Sequence, residues 1–496
     1  MGTGYDRVQR RVFLAAYFRR HVGPLRTGVA PTLTPEIDRI YSVARDAAGT
    51  GWNAPIVYAE IAAGTDPRTS STYDYLIDFI DTTAANNTWD RVGKVGWGDV
   101  DVSEDGQSLY AINFADRSLW RMPAQQTAGL PLTTASAGVT STAIPNPCQA
   151  LTGVSAAAAN TDFRPGALAV YNGAVYVGGV CSGQSSTTTG TFTPPAVNGT
   201  RTLLYAWVTR FVPGVGFDAS PTLSFRLDYP RNDTDPDPAS NSAEWQPWTT
   251  TQASTPMRAG SQTYPMPMFG DIEFDRGDMI IALRDRFGDL STTFANNPTT
   301  NGGQIRGIPG GELLRACLQT TGTYTLESNG TCAGVNGSVT GAAGTAANGA
   351  RGPGSTAQGG EYYPLDHFVN GNPGPAVDAV NFDGVPHDEV ATGALAQVPG
   401  FPQVVATMFD PFDEFDSAGV RWINNSNPAS NSAANFRGYE VFDTGGTFKS
   451  NGNGDLEAMC DAAPIQLGNR LFLDTDADGI QDPDEAGIPG YEVILF

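Results

Sequence analysis

A hairpin pattern that recurs along the chain constrains its fold more than any other feature. Four stretches each begin with glycine, continue as an alternating apolar strand, turn at a glycine and return as a second apolar strand. Alternation with a period of two around a glycine-containing turn is typical of a β-hairpin. The four stretches are GDVDVSEDGQSLYAINF (98–114), GALAVYNGAVYVGGV (166–180), GDIEFDRGDMIIALRD (270–285) and GALAQVPGFPQVVATMF (393–409).

Residues 5–18 fit a fifth copy, although their charges also permit a helix. We favour the hairpin because the repeat register places Met1 where the other copies carry their leading glycine. A hairpin followed by one or two outer strands, recurring five times, predicts the blades of a β-propeller. The third strands are predicted at IDRIYSVA (37–44), SLWRMP (118–123), LLYAWVTRF (203–211), ELLRACL (312–318) and VRWINN (420–425).

We therefore predict an all-β chain whose residues 1–460 form one propeller of five or six blades with long loop insertions. A last copy of the first-strand motif, Gly454–Glu457, has no hairpin behind it, and we expect it to complete the first blade and close the ring. Residues 461–466 are interpreted as a linker. The alternative is a row of β-sandwich domains, which the absence of interdomain linkers disfavours.

Composition narrows the range of partners. The formal net charge is −23, and nucleic acid is excluded as an expected partner because phosphate binding needs basic surface. No apolar run approaches the ~20 residues that a membrane-spanning helix needs. The high content of glycine and proline, 58 and 35 residues, suits short strands joined by turns.

The five cysteines indicate the compartment. Cys317 and Cys332 bracket a short hairpin and are expected to form a disulfide, whereas a bond between Cys148 and Cys181 is a weaker proposal. Cys460 would then be unpaired, and five unrelated thiols remain the alternative. No CxxC pair or zinc spacing occurs. We expect an extracellular or cell-surface protein.

A cluster of carboxylates near the C-terminus has the spacing of a calcium loop. Counted from Asp474, the ligand positions 1, 3, 5, 7, 9 and 12 of an EF-hand-type loop are filled, with Gly479 at the turn. Oxygen ligands without His or Cys favour calcium over zinc. A solvated acidic turn without metal is the alternative. The expected ligands are Asp474, Asp476, Asp478, Ile480 through its carbonyl, Asp482 and Glu485.

This loop and its flanks, LGNRLFL (467–473) and GIPGYEVIL (487–495), resemble the start of the calcium-binding B repeats, of SdrD type, in bacterial serine-aspartate-repeat surface proteins. The resemblance implies that residues 467–496 begin a prealbumin-like β-sandwich module, incomplete here, that calcium stiffens. It also implies that the preceding region is similar to the propeller-like part of large bacterial surface proteins.

Three copies of the first-strand motif carry paired acids. Residues i and i+2 of a strand face the same side, and the innermost strands of a propeller line its central channel. We expect these pairs to form an acidic ring that binds calcium or a polar ligand, or else to be solvated or turn-bonded carboxylates. The candidate channel acids are Asp99, Asp101, Asp271, Glu273, Asp455 and Glu457.

The sequence thus favours a non-enzymatic structural or adhesive protein that is secreted or displayed on a bacterial cell surface, where it assembles into a surface layer or filament. Its expected partners are other surface proteins or copies of itself, with carbohydrate as a further possibility. The alternative functions are a propeller-fold polysaccharide hydrolase or lyase with acids in the channel, or a carbohydrate-binding module.

Overall fold

The computed structural model consists of five blades and a small second unit. Contacts divide the chain into Met1–Met459 and Cys460–Phe496. The residues that the structure describes are 2–20, 26–27, 34–46, 48–67, 88–186, 201–231, 244–251, 264–290, 294–296, 304–306, 310–334, 337–340, 352–354, 360–363, 390–398, 401–409, 411, 417–425, 437–443, 454–460 and 488.

Each blade is an antiparallel sheet whose strands follow one another outwards from the channel, and all five predicted hairpins supply the two inner strands. Blade 1 is formed by Thr3–Asp6, Arg11–Ala15, Arg39–Ala44 and Ile56–Glu60. Blade 2 is formed by Trp97–Val102, Ser108–Asn113, Ser118–Pro123 and Thr140–Ala143. Blade 3 is formed by Phe163–Tyr171, Ala174–Ser182 and Leu204–Val212, beyond which both Gly216–Phe217 and Leu223–Arg226 pair. Blade 4 is formed by Pro267–Asp275, Asp278–Asp285, Glu312–Leu318 and Tyr324–Leu326. Blade 5 is formed by Ala391–Gln397, Gln403–Phe409, Ser417–Asn424 and Gly438–Asp443.

Smaller elements occupy the insertions between these strands. Within the described residues, three two-stranded ribbons are formed by Arg26–Thr27 with Thr34–Pro35, Phe294–Asn296 with Gln304–Arg306, and Thr331–Gly334 with Gly337–Thr340. The α-helices are Thr88–Arg91, Cys148–Thr152, Ala156–Asp162 and Phe287–Leu290, and 3₁₀ turns occur at Gln184–Ser186 and Arg201–Leu203.

The hydrophobic core lies between neighbouring blades, because every inner sheet is covered on both faces. Val177 of blade 3 packs in one cluster with Ile112 of blade 2, and Leu313 of blade 4 packs with Val404 of blade 5. Burial on both faces explains why all residues of Ser108–Asn113 are buried, without the alternation that marks Arg11–Ala15. The first strands of blades 1 to 5 stand side by side in chain order.

The segment Gly454–Glu457 was predicted to add a strand to blade 1, and this prediction is wrong. Blade 1 takes all four of its strands from residues 3–60, so this segment does not complete its sheet. The segment has no strand hydrogen-bond ladder, and the side chain of Asp455 instead accepts a hydrogen bond from the backbone N–H of Thr3 at 2.6 Å. Five blades are described, and the predicted second module at 467–496 lies outside the described residues apart from Ile488.

Both predicted disulfides are confirmed. Cys317–Cys332 links the third strand of blade 4 to a two-stranded ribbon, with the Cα atoms 5.8 Å apart. Cys148–Cys181 links an inserted helix to the second strand of blade 3, with the Cα atoms 5.6 Å apart. Cys460 is a free, exposed thiol, as expected.

Candidate functional site

The six candidate channel acids lie on alternate first strands around the ring. Blades 2 and 4 and the segment 454–457 carry the pattern Gly-acid-apolar-acid, whereas the copies in blades 3 and 5 read Gly-Ala-Leu-Ala. Asp99 and Asp271 are each 6% exposed. The remaining four, Asp101, Glu273, Asp455 and Glu457, are half-buried.

The acids of blade 2 bind the backbone of blade 3. The Oδ2 atom of Asp99 accepts a hydrogen bond from the N–H of Leu168 at 2.9 Å, and Oδ2 of Asp101 accepts one from Val170 at 2.8 Å. The other oxygen of each carboxylate accepts from the next N–H of its own strand, at 2.8 Å and 2.6 Å. Further along, the Glu104 carboxylate accepts from the N–H groups of Asn172 and Gly173, at 2.8 and 3.0 Å.

The same arrangement recurs in the first strand of blade 4 and in the segment 454–457. Asp271 accepts from the N–H of Leu395 in blade 5 at 2.7 Å. Glu273 accepts from that of Gln397 at 3.1 Å. In the first strand of blade 1, the backbone N–H of Thr3 donates a hydrogen bond to Asp455 at 2.6 Å. Leu168, Leu395 and Thr3 each lie two residues after the start of the repeat, which confirms the register that places Met1 at the leading position.

Glycines bring the first strands close together at one end of the channel. A Cβ atom on Gly98 would lie 2.7 Å from the carbonyl oxygen of Gly166, and one on Gly166 would lie 2.6 Å from that of Phe269. The cavity at this end has a volume of about 30 Å³, which holds roughly two water molecules. Its wall includes Gly2 and the leading glycines of the other copies, Gly98, Gly166, Gly270, Gly393 and Gly454.

Crowding of the acids favours their protonated forms. Burial raises the pKa of Asp99 well above its usual value, and the charge of Asp455 raises it further. Burial likewise raises the pKa of Glu273 to about 8 and that of Asp101 to about 6, while the backbone donors of the next blade oppose both shifts. The pKa of Glu457 is raised well above its usual value by burial and by the charges of Asp101 and Glu273. These shifts favour the protonated forms of Asp99, Glu273 and Glu457 at neutral pH.

A second charged group lies beside the same cavity and was not predicted from the sequence. Asp289 accepts a hydrogen bond from the hydroxyl of Tyr17 at 2.7 Å and forms ion pairs with Arg284 at 2.7 Å and Arg19 at 3.0 Å. Burial acts to raise the pKa of Asp289, but the two arginines outweigh it and hold that pKa below its usual value. Tyr17 and Arg284 line the cavity. Tyr17 and Arg19 follow the second strand of blade 1, whereas Arg284 and Asp289 lie in the second strand of blade 4 and in the helix after it. Because the two pairs are far apart in sequence, no local motif predicts their contact.

The comparisons with known proteins point to a eukaryotic group. Colossin-A of Dictyostelium discoideum is 31% identical over 339 residues, which is 67% of this chain but 2% of Colossin-A. Colossin-D of the same organism is 25% identical over 468 residues, 92% of this chain and 40% of that protein. The chain thus spans less than half the length of these relatives, and no family model matches it.

Solved structures resemble the chain weakly. The periplasmic gluconolactonase PpgL of Pseudomonas aeruginosa covers 89% of this chain with 11% identity and a TM-score of 0.35, over 70% of its own length. An exo-1,5-α-L-arabinanase from a bovine ruminal metagenomic library covers 90% of this chain, over 95% of its own length, with 9% identity and a TM-score of 0.30. At these scores the likeness carries no argument about activity.

The Colossin relatives correct the resemblance to SdrD-type repeats of bacterial surface proteins, which is wrong. The 30-residue match that suggested it is short and rich in Asp and Gly, a composition that unrelated calcium-loop-like turns share. The predicted ligands Asp474, Asp476, Asp478, Ile480, Asp482 and Glu485 lie outside the described residues. Within the described part of the chain, no group of three or more His, Cys, Asp or Glu is arranged to hold a metal ion, and no helix is long and apolar enough to cross a membrane.

Proposed function

We propose that this chain is a non-enzymatic propeller head of a secreted or cell-surface protein, with a structural or adhesive role. The observation that carries the proposal is the use of the channel carboxylates. Asp99, Asp101, Asp271 and Glu273 each accept a backbone N–H of the following blade, so their oxygens hold neighbouring blades together. The cavity beside them, at about 30 Å³, is far below the roughly 300 Å³ at which ligand pockets begin.

Two buried disulfides support an extracellular setting, because such bonds persist in oxidising compartments. The net charge of −23 keeps a protein of this size soluble and repels nucleic acid. As partners we propose other surface proteins or further copies of the same chain, joined in a layer or filament.

A polysaccharide hydrolase or lyase is the second candidate. It is favoured by the raised pKa values of Asp99 and Glu273, since a carboxylic acid that stays protonated at neutral pH can act as a general acid. Against it stands the size of the cavity, which has no room for a sugar ring.

The substitution Asp271→Asn separates the two candidates. The purified chain is incubated with a panel of plant, bacterial and fungal polysaccharides, release of reducing ends is measured, and the melting temperature is recorded by differential scanning fluorimetry. A structural role predicts no turnover by the wild type and a lower melting temperature in the variant. The two oxygens of Asp271 accept the N–H groups of Ile272 and Leu395, whereas an amide has one acceptor oxygen and would turn its NH₂ group towards the other donor. The hydrolase or lyase would instead be established if the wild type releases reducing ends and Asp271→Asn abolishes this release without changing the melting temperature.

We further propose that the loop Asp474–Glu485 binds calcium, on the ligand spacing alone. Extracellular loops of this type bind with a Kd of ~10⁻⁴–10⁻³ M. Isothermal titration calorimetry of the purified chain with CaCl₂ should give such a site, and the double variant Asp474→Asn/Asp478→Asn should lose it. Equal heats from the wild type and the variant would rule the loop out.

A further inference from the structure

A second, larger cavity lies at the opposite end of the first strands from the glycines. Its volume is about 600 Å³, within the range of small-molecule sites. It is bounded by the first hairpin turn of blade 3 at Asn172, the corresponding turn of blade 4 at Gly277, and the outer turn of blade 4 at 321–323. We call it the turn-side groove. Both blades belong to the same compact unit, Met1–Met459.

Three tyrosines form one wall of the groove. The ring of Tyr171 stacks on Phe274 with the centroids 4.1 Å apart and the planes 6° from parallel. Phe274 does not line the cavity, so it supports Tyr171 from behind. Tyr176 stands edge-on to Tyr324 at 6.5 Å. Tyr171 and Tyr324 are half-buried and line the cavity, so part of each ring is accessible from the groove.

Polar groups form the rim beside these rings. Arg210 binds Asp218 through two hydrogen bonds of 3.0 and 3.4 Å, and their side chains remain 44% and 37% exposed. Burial raises the pKa of Tyr176, and the neighbouring Tyr324 hydroxyl and Arg210 guanidinium oppose that rise. The polar side chains of Asp218, Arg210, Tyr176 and Tyr324 therefore line the same cavity as the aromatic rings.

The opposite rim is held in place from blade 2. The Glu104 carboxylate accepts the N–H groups of Asn172 and Gly173, which fixes the hairpin turn at the edge of the groove. Asn172 has a positive φ of 49° and an exposed side chain, so its amide is presented to solvent. The walls are thus positioned before any ligand arrives, which reduces the entropy lost on binding.

We propose that the turn-side groove binds a neutral carbohydrate, as a terminal mono- or disaccharide of a glycan. A pyranose ring has an apolar C–H face that packs on an aromatic ring and an edge of hydroxyl groups that both donate and accept hydrogen bonds. The groove offers these two surfaces side by side. Its one ion pair, Arg210 with Asp218, leaves no surplus charge for an anionic ligand, and the net charge of −23 opposes phosphates.

The proposal does not depend on the channel. The groove and the glycine-lined cavity have no wall residue in common and lie at opposite ends of the first strands. If the groove does not bind carbohydrate, the structural role proposed for the channel acids is therefore unaffected, and the reverse also holds. A glycan site would give an adhesive head a ligand on the face that carries the hairpin turns.

The test uses the whole chain. A printed array of neutral and anionic glycans identifies a binder, and isothermal titration calorimetry with the free sugar measures the Kd. The groove variants are Tyr324→Ala, which removes a ring from the wall, and Asp218→Asn, which removes a rim acceptor at an exposed position. Tyr439→Ala is the matched control, because Tyr439 is 64% exposed on the outermost strand of blade 5.

We expect a neutral glycan to bind, Tyr324→Ala and Asp218→Asn to raise the Kd about tenfold or more, and Tyr439→Ala to leave it unchanged. If Tyr324→Ala lowers the melting temperature strongly, Asp218→Asn and Arg210→Gln decide the outcome. Absence of any neutral glycan among the binders, a preference for anionic glycans, or an unchanged Kd in the groove variants would each overturn the proposal.

Discussion

At the scale of single residues, the channel acids combine two opposing effects. Each backbone donor of the next blade stabilises the ionised carboxylate, whereas burial and the neighbouring acids stabilise the protonated one. For Glu273 burial prevails and the pKa rises to about 8. The sequence indicated that these acids share one channel, because their i, i+2 spacing was visible. It could not indicate their bonding partners, since those depend on the stagger between adjacent blades.

These pKa shifts predict that the protein loses stability as the pH rises. A carboxyl whose pKa is higher in the folded than in the unfolded state contributes stability below its unfolded pKa, near 4, and loses it as the pH passes the folded pKa. Asp101, with a pKa of about 6, Asp285, with about 7, and Glu273, with about 8, place this loss between pH 4 and pH 8. The melting temperature should therefore fall steadily from pH 5 to pH 8.

Two variants test whether the fall in melting temperature with pH comes from the channel acids. Glu273→Gln removes a titrating group but keeps an oxygen that can accept the Gln397 N–H, so its melting temperature should vary less with pH. Asp218→Asn alters an exposed carboxylate outside the channel, paired with Arg210, and should leave the slope unchanged. A slope of the opposite sign, or one that Glu273→Gln does not reduce, would show that the channel acids are ionised in the fold.

At the scale of elements, the repeated hairpins were the part of the fold that the sequence specified. Period-two alternation and a glycine turn are local signals, so the two inner strands of every blade could be located. The fourth strands could not, because Thr140–Ala143 is exposed throughout and Tyr324–Leu326 has three residues. The helices at Cys148–Thr152 and Ala156–Asp162 were likewise missed inside a Ser- and Thr-rich insertion. The Cys148–Cys181 disulfide fixes that insertion to blade 3.

The close approach of the first strands predicts a specific sensitivity at Gly270. A methyl group there would overlap the carbonyl oxygen of Gly393, and that oxygen belongs to backbone that cannot move aside. Gly270→Ala should lower the free energy of unfolding by about 1–3 kcal/mol, measured by urea denaturation.

Gly51→Ala is the control for that change. An added methyl at Gly51 meets the flexible carboxylate of Asp46, and we expect a change within about 0.5 kcal/mol. Equal effects at the two glycines would mean that the blades are not packed backbone to backbone.

At the scale of the whole molecule, ring closure was the hardest feature to predict. The copy of the motif at Gly454–Glu457 indicated a closing segment, and the expectation that it adds a strand to blade 1 was wrong. It acts through Asp455, whose side chain receives the Thr3 N–H as Asp99 receives that of Leu168. Acidic segments therefore alternate with acid-free first strands around the ring. The acids that bind the strand that follows are Asp99, Asp101, Asp271, Glu273 and Asp455.

Hydrogen–deuterium exchange tests this central claim most directly. Exchange of the peptides that cover 166–171 in blade 3 and 393–398 in blade 5 is followed by mass spectrometry in the wild type and in the variants Asp99→Ala and Asp271→Ala. We predict that Asp99→Ala speeds exchange in the blade 3 peptide and Asp271→Ala in the blade 5 peptide, and each variant serves as the control for the other. Unchanged protection of both peptides, or an equal loss in both, would contradict it.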